Sequence, residues 1–227
     1  MKFHETHFED YIRSSEQNNL HAKMEKTIYS KFPNNIHRWD LIQYIINKHS
    51  FKNYLEIGCD KDQSFSKIII KNKVGVDPVS GGTIRDTSDN FFKNNNEKFD
   101  IIFIDGLHQY EQVSRDIKNS LKVLNINGYI LIHDCLPRSI AHQAIPRYRG
   151  SWNGDVWKSI VEFRTNPNLD TFTCQIDYGV GVLINRDNTD VLDCNISDFS
   201  TLKFKDYYYN HKKFMRIIDY NKLLEII

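Results

Sequence analysis

The chain has 227 residues, of which 40% are hydrophobic and 13% aromatic, enough to form the core of one sizeable α/β domain. Its 30 basic and 29 acidic residues give a net charge of +1 without a basic stripe, so nucleic acid is not an expected partner. No apolar run reaches the roughly 20 residues that span a bilayer, the N-terminus does not resemble a signal peptide, and the four cysteines lack a metal or redox spacing. We therefore expect a cytoplasmic protein with reduced thiols, no membrane insertion and a small-molecule substrate.

The predicted elements alternate between helix and strand along the chain. Residues 1–35 are polar, contain scattered aromatics and end in the turn "FPNN", which predicts an N-terminal helical cap. Residues 36–49 repeat apolar side chains at helical spacing. Short β-branched runs then predict strands at 53–59, 73–78, 99–106, 128–135 and 178–185, with helices at 63–72, 110–124 and 154–166. The segment 204–227 predicts a loop and a terminal amphipathic helix, whose exposed Tyr, Ile and Leu favour self-association.

This order predicts a mostly parallel sheet with helices on both faces. We expect a single domain made of the cap (1–35), a core (36–190) and a C-terminal helical extension (191–227). In such sheets, ligands bind at the carboxyl ends of the strands, near the point where the strand order reverses. Four ionisable residues follow predicted strands at that edge: Asp105, His108, His133 and Asp134.

A ligand signature lies around the first two predicted strands. In "YLEIGCDKDQSF" a strand runs into a glycine turn, and "VGVDP" ends the second strand at Asp77, where a carboxylate can hold ribose hydroxyls. A dinucleotide fingerprint would need more glycines than Gly58, and Asp60 and Asp62 would repel a pyrophosphate. Together with Glu56, these carboxylates favour a cationic ligand such as S-adenosylmethionine. The alternative is a structural strand–turn–helix unit with incidental carboxylates.

Five motifs resemble, in order, those of class I S-adenosylmethionine-dependent methyltransferases: "YLEIGCDKDQSF", "VGVDPVSGGTIRDTSDNFF", the segment from "FDIIFIDGLHQYEQV" to "ILIHDCLPRS", "WNGDVWKSIVEFR" and "DYGVGVLI". The chain is most similar to a small bacterial branch associated with surface-glycan and secondary-metabolite clusters. The resemblance implies a Rossmann-like, seven-stranded sheet whose last strand is antiparallel. It also implies cofactor-binding roles for Glu56 and Gly58 near the methionine part, for Asp77 on the ribose, and for Ser88 and Asp89 near the adenine. Cys59 and Asp105, at the ends of two predicted strands, are expected to bind the cofactor as well. Asp62 departs from the pattern, because it stands where a second glycine is expected.

Methyl transfer to oxygen requires the acceptor hydroxyl to lose its proton. A histidine can remove it, and a bound divalent cation can lower the hydroxyl pKa instead. The candidate catalytic residues are His108, His133 and Asp134. A resemblance to catechol-type O-methyltransferases implies Asp105, His133 and Asp134 as metal ligands, although His133 replaces a carboxylate, which magnesium would prefer. Either the metal is softer, or the histidines act without one. The structural alternatives are a helix cap for Asp105 and satisfied histidines bonded to backbone.

The leading hypothesis is O-methylation of a small polar acceptor, such as a sugar, a sugar nucleotide or a phosphorylated metabolite. The acceptor is expected to contact a loop containing Arg147, Arg149, Trp152 and Asn153; the alternative is a hydrophobic lid in which Trp152 and Trp157 belong to the core. One alternative is a metal-dependent oxidative or hydroxylating enzyme with iron at the same strand ends. A second is a nucleoside-binding regulatory module without chemistry. The identity of the acceptor is not predictable from these residues.

Overall fold

The computed structural model describes residue 28 and the ranges 32–147 and 150–227. Most of the predicted N-terminal cap lies outside the described residues, as does Arg149. The strands are β1 Asn53–Ile57, β2 Asn72–Val76, β3 Phe99–Ile104, β4 Leu124–Ile132, β5 Asp170–Cys174, β6 Val180–Ile184 and β7 Ile217–Ile218. The helices are α1 Arg38–His49, α2 Ser88–Asn94, α3 Tyr110–Val123, α4 Trp157–Arg164, α5 Phe204–Met215 and α6 Tyr220–Ile226. Within these ranges, no helix is both long enough and apolar enough to cross a membrane.

The seven strands form one sheet in the order β2-β1-β3-β4-β6-β5-β7. Strands β1 to β4 pair in parallel, and β6 runs antiparallel to both of its neighbours. The chain moves outward from β1 to β2 and then crosses back to β3 on the other side of β1. The strand order therefore reverses between β1 and β3, and a ligand cleft is expected outside their carboxyl ends.

The predicted sheet of seven mostly parallel strands, covered by helices, is confirmed. The strand predicted at 178–185 is the antiparallel strand β6, but it is not the last one. A two-residue strand, β7, follows it and pairs in parallel with β5 at the edge of the sheet. This extra strand forms because the C-terminal segment is two helices, α5 and α6, instead of one, and the chain between them adds to the sheet.

Two other predicted elements differ from the structure. The helix predicted at 63–72 is only a 3₁₀ turn, Phe65–Lys67, followed by extended backbone at Ile68. Three consecutive isoleucines, 68–70, disfavour helix at this position. Strand β5 was not predicted because its sequence, "DTFTC", is largely polar. All five of its residues are nevertheless buried, and its Asp170 pairs with Arg186 and Arg216.

Hydrophobic layers cover both faces of the sheet. On one face, Leu55, Ile102 and Ile130 belong to a cluster that contains the apolar faces of α3, α4 and α5. On the other face, Tyr54 and Phe103 belong to a cluster with α1 and α6. Each fully buried side chain of this size contributes about 1.5–3 kcal/mol to stability. The layers hold the strands rigidly, so that the loops at their carboxyl ends are presented from a fixed edge.

Candidate active site at the carboxyl edge of the sheet

The loop after β1 packs directly against the end of β3. Gly58 has φ +87, and a Cβ at this position would lie 2.3 Å from the backbone oxygen of Asp105. The Gly58 N–H donates to the Val76 carbonyl oxygen at 2.9 Å, and the Asp105 N–H donates to the Ile57 carbonyl oxygen at 2.8 Å. Glycine is therefore required here both by backbone conformation and by close approach. The contact brings Asp105 to the cleft between β1 and β3.

Asp77, at the end of β2, ties two loops together. Its Oδ2 accepts from the N–H groups of Cys59 and Asp60, each at 3.0 Å. Its Oδ1 accepts from Val79 at 2.8 Å and from Ser80 at 2.9 Å. Burial opposes ionisation, but these backbone donors prevail and lower the pKa of Asp77. A carboxylate offers about four acceptor sites, and all are used here, so the predicted ribose contact would have to replace one of them.

We expect Asp77→Asn to destabilise the protein by about 2–4 kcal/mol, because an amide nitrogen would face backbone N–H donors that the carboxylate now satisfies. Urea unfolding followed by circular dichroism measures the change. The exposed Asp187→Asn is the matched control and should shift stability by less than about 0.5 kcal/mol. Equal free energies of unfolding for the two variants would show that the hydrogen bonds of Asp77 do not stabilise the fold.

Seven of the predicted site residues line one cavity of about 270 Å³. They are Glu56, Gly58, Cys59, Asp105, His108, His133 and Asp134. Ser88 and Asp89 are not among its lining residues: they lie in the first turn of α2, where Ser88 accepts from Gln112 and Asp89 pairs with Arg115. The strand-end rule therefore brings together the residues predicted at the methionine and reactive ends of the cofactor, and leaves those predicted near the adenine outside this cavity.

Glu56 lies buried on β1 at the floor of this cavity, 1% exposed. Burial raises the pKa of Glu56 to about 8, although the Tyr54 hydroxyl donates a hydrogen bond to its carboxylate and opposes the shift. The neighbouring Cys59 thiol has its pKa raised by burial and by Glu56, so it stays protonated. The floor of the cavity can therefore acquire a negative charge when a cation arrives.

Backbone carbonyls show which ring nitrogen of each histidine must carry a hydrogen. The Asp177 carbonyl oxygen lies 2.8 Å from His133 Nε2, and the Trp152 carbonyl oxygen lies 3.0 Å from His108 Nδ1. A carbonyl oxygen only accepts, so these two ring nitrogens carry hydrogens. His133 Nδ1 then faces Asp105 Oδ1 at 3.1 Å and Asp134 Oδ2 at 3.4 Å. His108 Nε2 faces Asp105 Oδ1 at 3.5 Å.

The carboxylates and the histidines stabilise each other's charged forms. Burial raises the pKa of Asp105, but His133, His108 and Arg38 outweigh it and hold that pKa well below its usual range. Conversely, burial lowers the pKa of both histidines, and Asp105 and Asp134 more than offset this. Asp134, at φ +60, is held in place by the Asn153 amide, which donates to its Oδ1 at 2.9 Å.

The same residues can hold a divalent metal ion. Asp105, His108 and Asp134 each offer a ligand atom within 4.8 Å of the others. His133 Nδ1 also points at both carboxylates, and its other nitrogen donates to a backbone carbonyl, as is usual for metal-bound histidine. Imidazole nitrogen beside carboxylate oxygen suits manganese, iron or zinc better than magnesium. If a metal binds, the donor set therefore fits manganese, iron or zinc, which is the softer-metal alternative left open by the sequence.

A second cavity of about 400 Å³ adjoins the first and shares Arg38, Gln63, His133 and Asp134 with it. It is lined further by the aromatic residues Trp39, Trp152 and Tyr178 and by Asn153. Trp152 also stacks on His108, with ring centroids 5.0 Å apart. Trp152 and Asn153, predicted as acceptor contacts, thus line the same cavity as His133 and Asp134. Arg147 lies over the Trp152 ring at 5.9 Å and does not line the cavity.

Arg38 and Asp177 are site residues that the sequence patterns did not reveal. Arg38, at the start of α1, places Nη1 2.9 Å from Asp177 Oδ2 and Nε 3.4 Å from Asp105 Oδ2. Asp177 precedes the antiparallel strand β6. Because an antiparallel strand starts where its parallel neighbours end, residues just before β6 reach the active edge. The antiparallel direction of β6 could therefore have predicted that Asp177 lies at the site. The local sequence "HRWD" contains no pattern that would have predicted the same for Arg38.

Comparison with known proteins agrees with this geometry. Residues 57–135 match the model of a methyltransferase domain, a segment that runs from the end of β1 past Asp134. The structure resembles the SAH-bound methyltransferase PaMTH1 of Podospora anserina, with 19% identity over 66% of this chain and 78% of that chain, and a TM-score of 0.53. A Staphylococcus aureus protein assigned as a caffeoyl-CoA O-methyltransferase has 17% identity over 80% and 98% of the two chains, with a TM-score of 0.50.

A Klebsiella pneumoniae protein assigned as an O-methyltransferase has 12% identity, covering 73% of this chain and 85% of that chain, and a TM-score of 0.51. No curated protein matches the sequence significantly. At these identities the structural likeness establishes the fold. The chain thus has the Rossmann-like fold of class I methyltransferases, and its central segment resembles a methyltransferase domain.

Proposed function

We propose that the protein is an S-adenosylmethionine-dependent O-methyltransferase that acts on a small polar acceptor. The observation that carries this proposal is the carboxylate-lined cavity at the reversal point of the sheet, with Glu56 at its floor and Asp105 at its wall. S-adenosylmethionine presents an ammonium and a sulfonium, which such a cavity attracts. PaMTH1, which shares the fold, was solved with SAH, the demethylated cofactor (S-adenosylhomocysteine). The comparisons do not support the oxidative alternative.

In this proposal, the methionine end of the cofactor lies over Gly58 and Cys59, with its ammonium near Glu56. Asp77 lies at the ribose side of the loop, and Ser88 and Asp89 mark the direction of the adenine. The Glu56 carboxylate is the residue best placed to select for a cation, because it is buried and has few other partners. Its contribution to binding depends on its ionisation.

Transfer requires only that the acceptor oxygen attack the methyl carbon in line and give up its proton. The C–S bond breaks as the C–O bond forms, and the proton passes to a base. We assign that role to His108, whose Nδ1–H is held by the Trp152 carbonyl, so that Nε2 can accept when the imidazole is neutral. Because Asp105 and Asp134 raise the pKa of His108, this neutral form is favoured at higher pH. Asp105 and Asp134 stabilise the resulting imidazolium. Arg38, bound to Asp177, keeps Asp105 in place.

A divalent metal ion would be held by Asp105 and Asp134 together with a ring nitrogen of His108 or of His133. If His133 Nδ1 is the ligand, His108 is left as the base. When bound, it would supply Lewis acidity that lowers the pKa of the acceptor hydroxyl. The chain's own contribution is to orient these ligands: the Asp177 carbonyl holds His133, and the Asn153 amide holds Asp134.

The second cavity supports a hydroxylated, ring-shaped acceptor. Trp39 and Trp152 offer flat surfaces for a sugar face, and His37 stacks on Trp39 at 4.3 Å. Asn153 and Asp177 offer polar groups beside them. A sugar or a sugar-containing metabolite fits this lining best, which is consistent with the acceptor class expected from the sequence.

The function is tested by titrating S-adenosylmethionine and SAH into the protein in a calorimeter. Methyl transfer from labelled cofactor to a panel of sugars, sugar nucleotides and sugar phosphates is then measured. Binding without transfer to any hydroxyl would favour a regulatory module. Absence of binding for both compounds would rule the proposal out.

Cofactor affinity is expected to increase with pH. In the free site Glu56 has a pKa of about 8, so below that pH it is mostly neutral, and a cation can pair with it only after the proton leaves. Affinity should therefore rise by up to about tenfold per unit between roughly pH 6 and 8 and then level off. Calorimetry across this range measures the slope. Glu56→Gln should bind weakly with a much smaller slope, and the exposed Glu97→Gln should behave as wild type. An equal slope in Glu56→Gln would assign the effect to another group.

A further inference from the structure

A larger cavity lies at the opposite end of the sheet from the candidate active site. Its volume is about 560 Å³, and its walls come from the end of α4, from β5 and β7, from the segment after β6, and from α5 and α6. Because β6 is antiparallel, the segment that follows it lies at the amino edge of the parallel strands. The cavity is therefore separate from the residues assigned to methyl transfer.

This distal cavity is strongly basic. Five of its lining residues are cationic and two are acidic, whereas the whole chain has a net charge of only +1. The cationic residues are Arg164, Lys212, Lys213, Arg216 and Lys222, and the acidic ones are Asp190 and Asp193. The basic run "HKKFMR" at the end of α5 supplies three of the five. Positive charges gathered around a concave surface attract anions.

The two arginines are fixed and the three lysines are free. Arg216 Nη1 lies 2.6 Å from Asp170 Oδ1, and Arg164 Nη2 lies 2.9 Å from Asp190 Oδ2. Arg164 is 2% exposed, yet its Nε has no hydrogen-bond partner among the described residues. In the same ranges, the ammonium groups of the three lysines have no hydrogen bond or ion pair. Three lysines whose ammonium groups have no partner among the described residues therefore line the cavity beside two arginines that are held by carboxylates.

The remaining wall is apolar. Phe172 and the isoleucines at 217, 218 and 226 line the cavity, and the Arg216 guanidinium lies over the Phe172 ring at 5.6 Å. A bare inorganic anion would leave this wall uncovered. A ligand that joins a charge of about −3 to an organic group would use both parts, and a diphosphate ester carries that charge at neutral pH.

We propose that the distal cavity binds a small organic diphosphate, such as a nucleoside diphosphate. Lys212, Lys213 and Lys222 contact the phosphates, and the wall formed by Phe172 and β7 receives the organic group. This site goes beyond methyl transfer and does not depend on it, since it shares no residue with the active-site cavities.

The proposal is tested by calorimetry at low salt with inorganic pyrophosphate, ADP and sulfate as probes. We expect pyrophosphate to bind, ADP to bind at least about threefold more tightly because it covers the apolar wall, and sulfate to bind weakly. Replacing Lys212, Lys213 and Lys222 together by Gln should weaken ADP binding by about tenfold or more. The circular dichroism spectrum and the melting temperature should be unchanged, which shows that the variant is folded.

The matched control replaces three exposed lysines elsewhere, Lys71, Lys93 and Lys205, by Gln. It removes the same total charge, so an equal loss of ADP affinity in the two variants would mean general electrostatic attraction and would overturn the site. Two other results would also overturn the site. One is that ADP binds no more tightly than sulfate does. The other is that pyrophosphate does not bind at about 5 mM, a concentration above the dissociation constants usual for metabolites.

Discussion

Gly58→Ala is expected to lower the free energy of unfolding by at least about 3 kcal/mol and to abolish measurable binding of SAH. At φ +87 an alanine is strained, and its Cβ would lie 2.3 Å from the Asp105 carbonyl oxygen, a backbone atom that cannot rotate away. The end of β3 must then move, and it carries Asp105 and the His108 loop with it. Thermal unfolding should show the Tm falling by about 6–12 °C for a chain of this length.

Gly106→Ala is the matched control for this prediction. It lies on the same loop pair, but a Cβ there has its nearest neighbour at 3.6 Å, which is ordinary van der Waals contact, and its φ is not positive. We expect a Tm within about 2–3 °C of wild type and intact SAH binding. If both glycines tolerate alanine equally, the close approach of the β1 loop to β3 is not what shapes the cleft.

The parallel core of the sheet and its reactive edge were predictable from local patterns. β-branched runs bounded by turn residues mark β1 to β4 and β6. The rule that ligands bind where parallel strands end then selects Asp105, His108, His133 and Asp134, which the structure brings to one cavity. The prediction succeeds because both signals are local. Each strand is indicated by its own residues, and the ionisable side chains come directly after it in the sequence.

Contacts between distant segments were not predictable in the same way. The sequence of strand β5 is polar and does not indicate a buried strand. Asp170 can be buried because Arg186 and Arg216, which follow it by 16 and 46 residues, neutralise its charge. Arg38 reaches Asp177 across 139 residues. The four N–H donors that occupy Asp77 come from two loops, so the motif "VGVDP" shows the carboxylate without showing that its acceptor sites are filled. Charge compensation of this kind depends on tertiary structure.

Asp134→Asn is expected to weaken Mn²⁺ binding by more than about 100-fold. Removing a residue that only hydrogen-bonds to a metal ligand lowers metal affinity by up to about 100-fold, and replacing a ligand itself should cost more. Asp134 supplies one of the two carboxylates of the cluster, and an amide oxygen is a poorer ligand without charge. Titration of Mn²⁺ followed by electron paramagnetic resonance measures the affinity without any acceptor. Asp187→Asn, at an exposed position, should bind as wild type.

His133→Asp provides the sharper comparison, because it changes the ligand type while keeping a donor at the same strand end. With His133, we expect Mn²⁺ or Zn²⁺ to be preferred over Mg²⁺, since imidazole is a softer ligand than the carboxylate and water oxygens that magnesium prefers. With aspartate, the set becomes three carboxylates, and Mg²⁺ affinity should rise relative to Mn²⁺. An unchanged preference would mean that His133 does not ligate. In that case both of its nitrogens serve as donors, to Asp105 and to the Asp177 carbonyl, and His133 is a fixed cation beside the base His108.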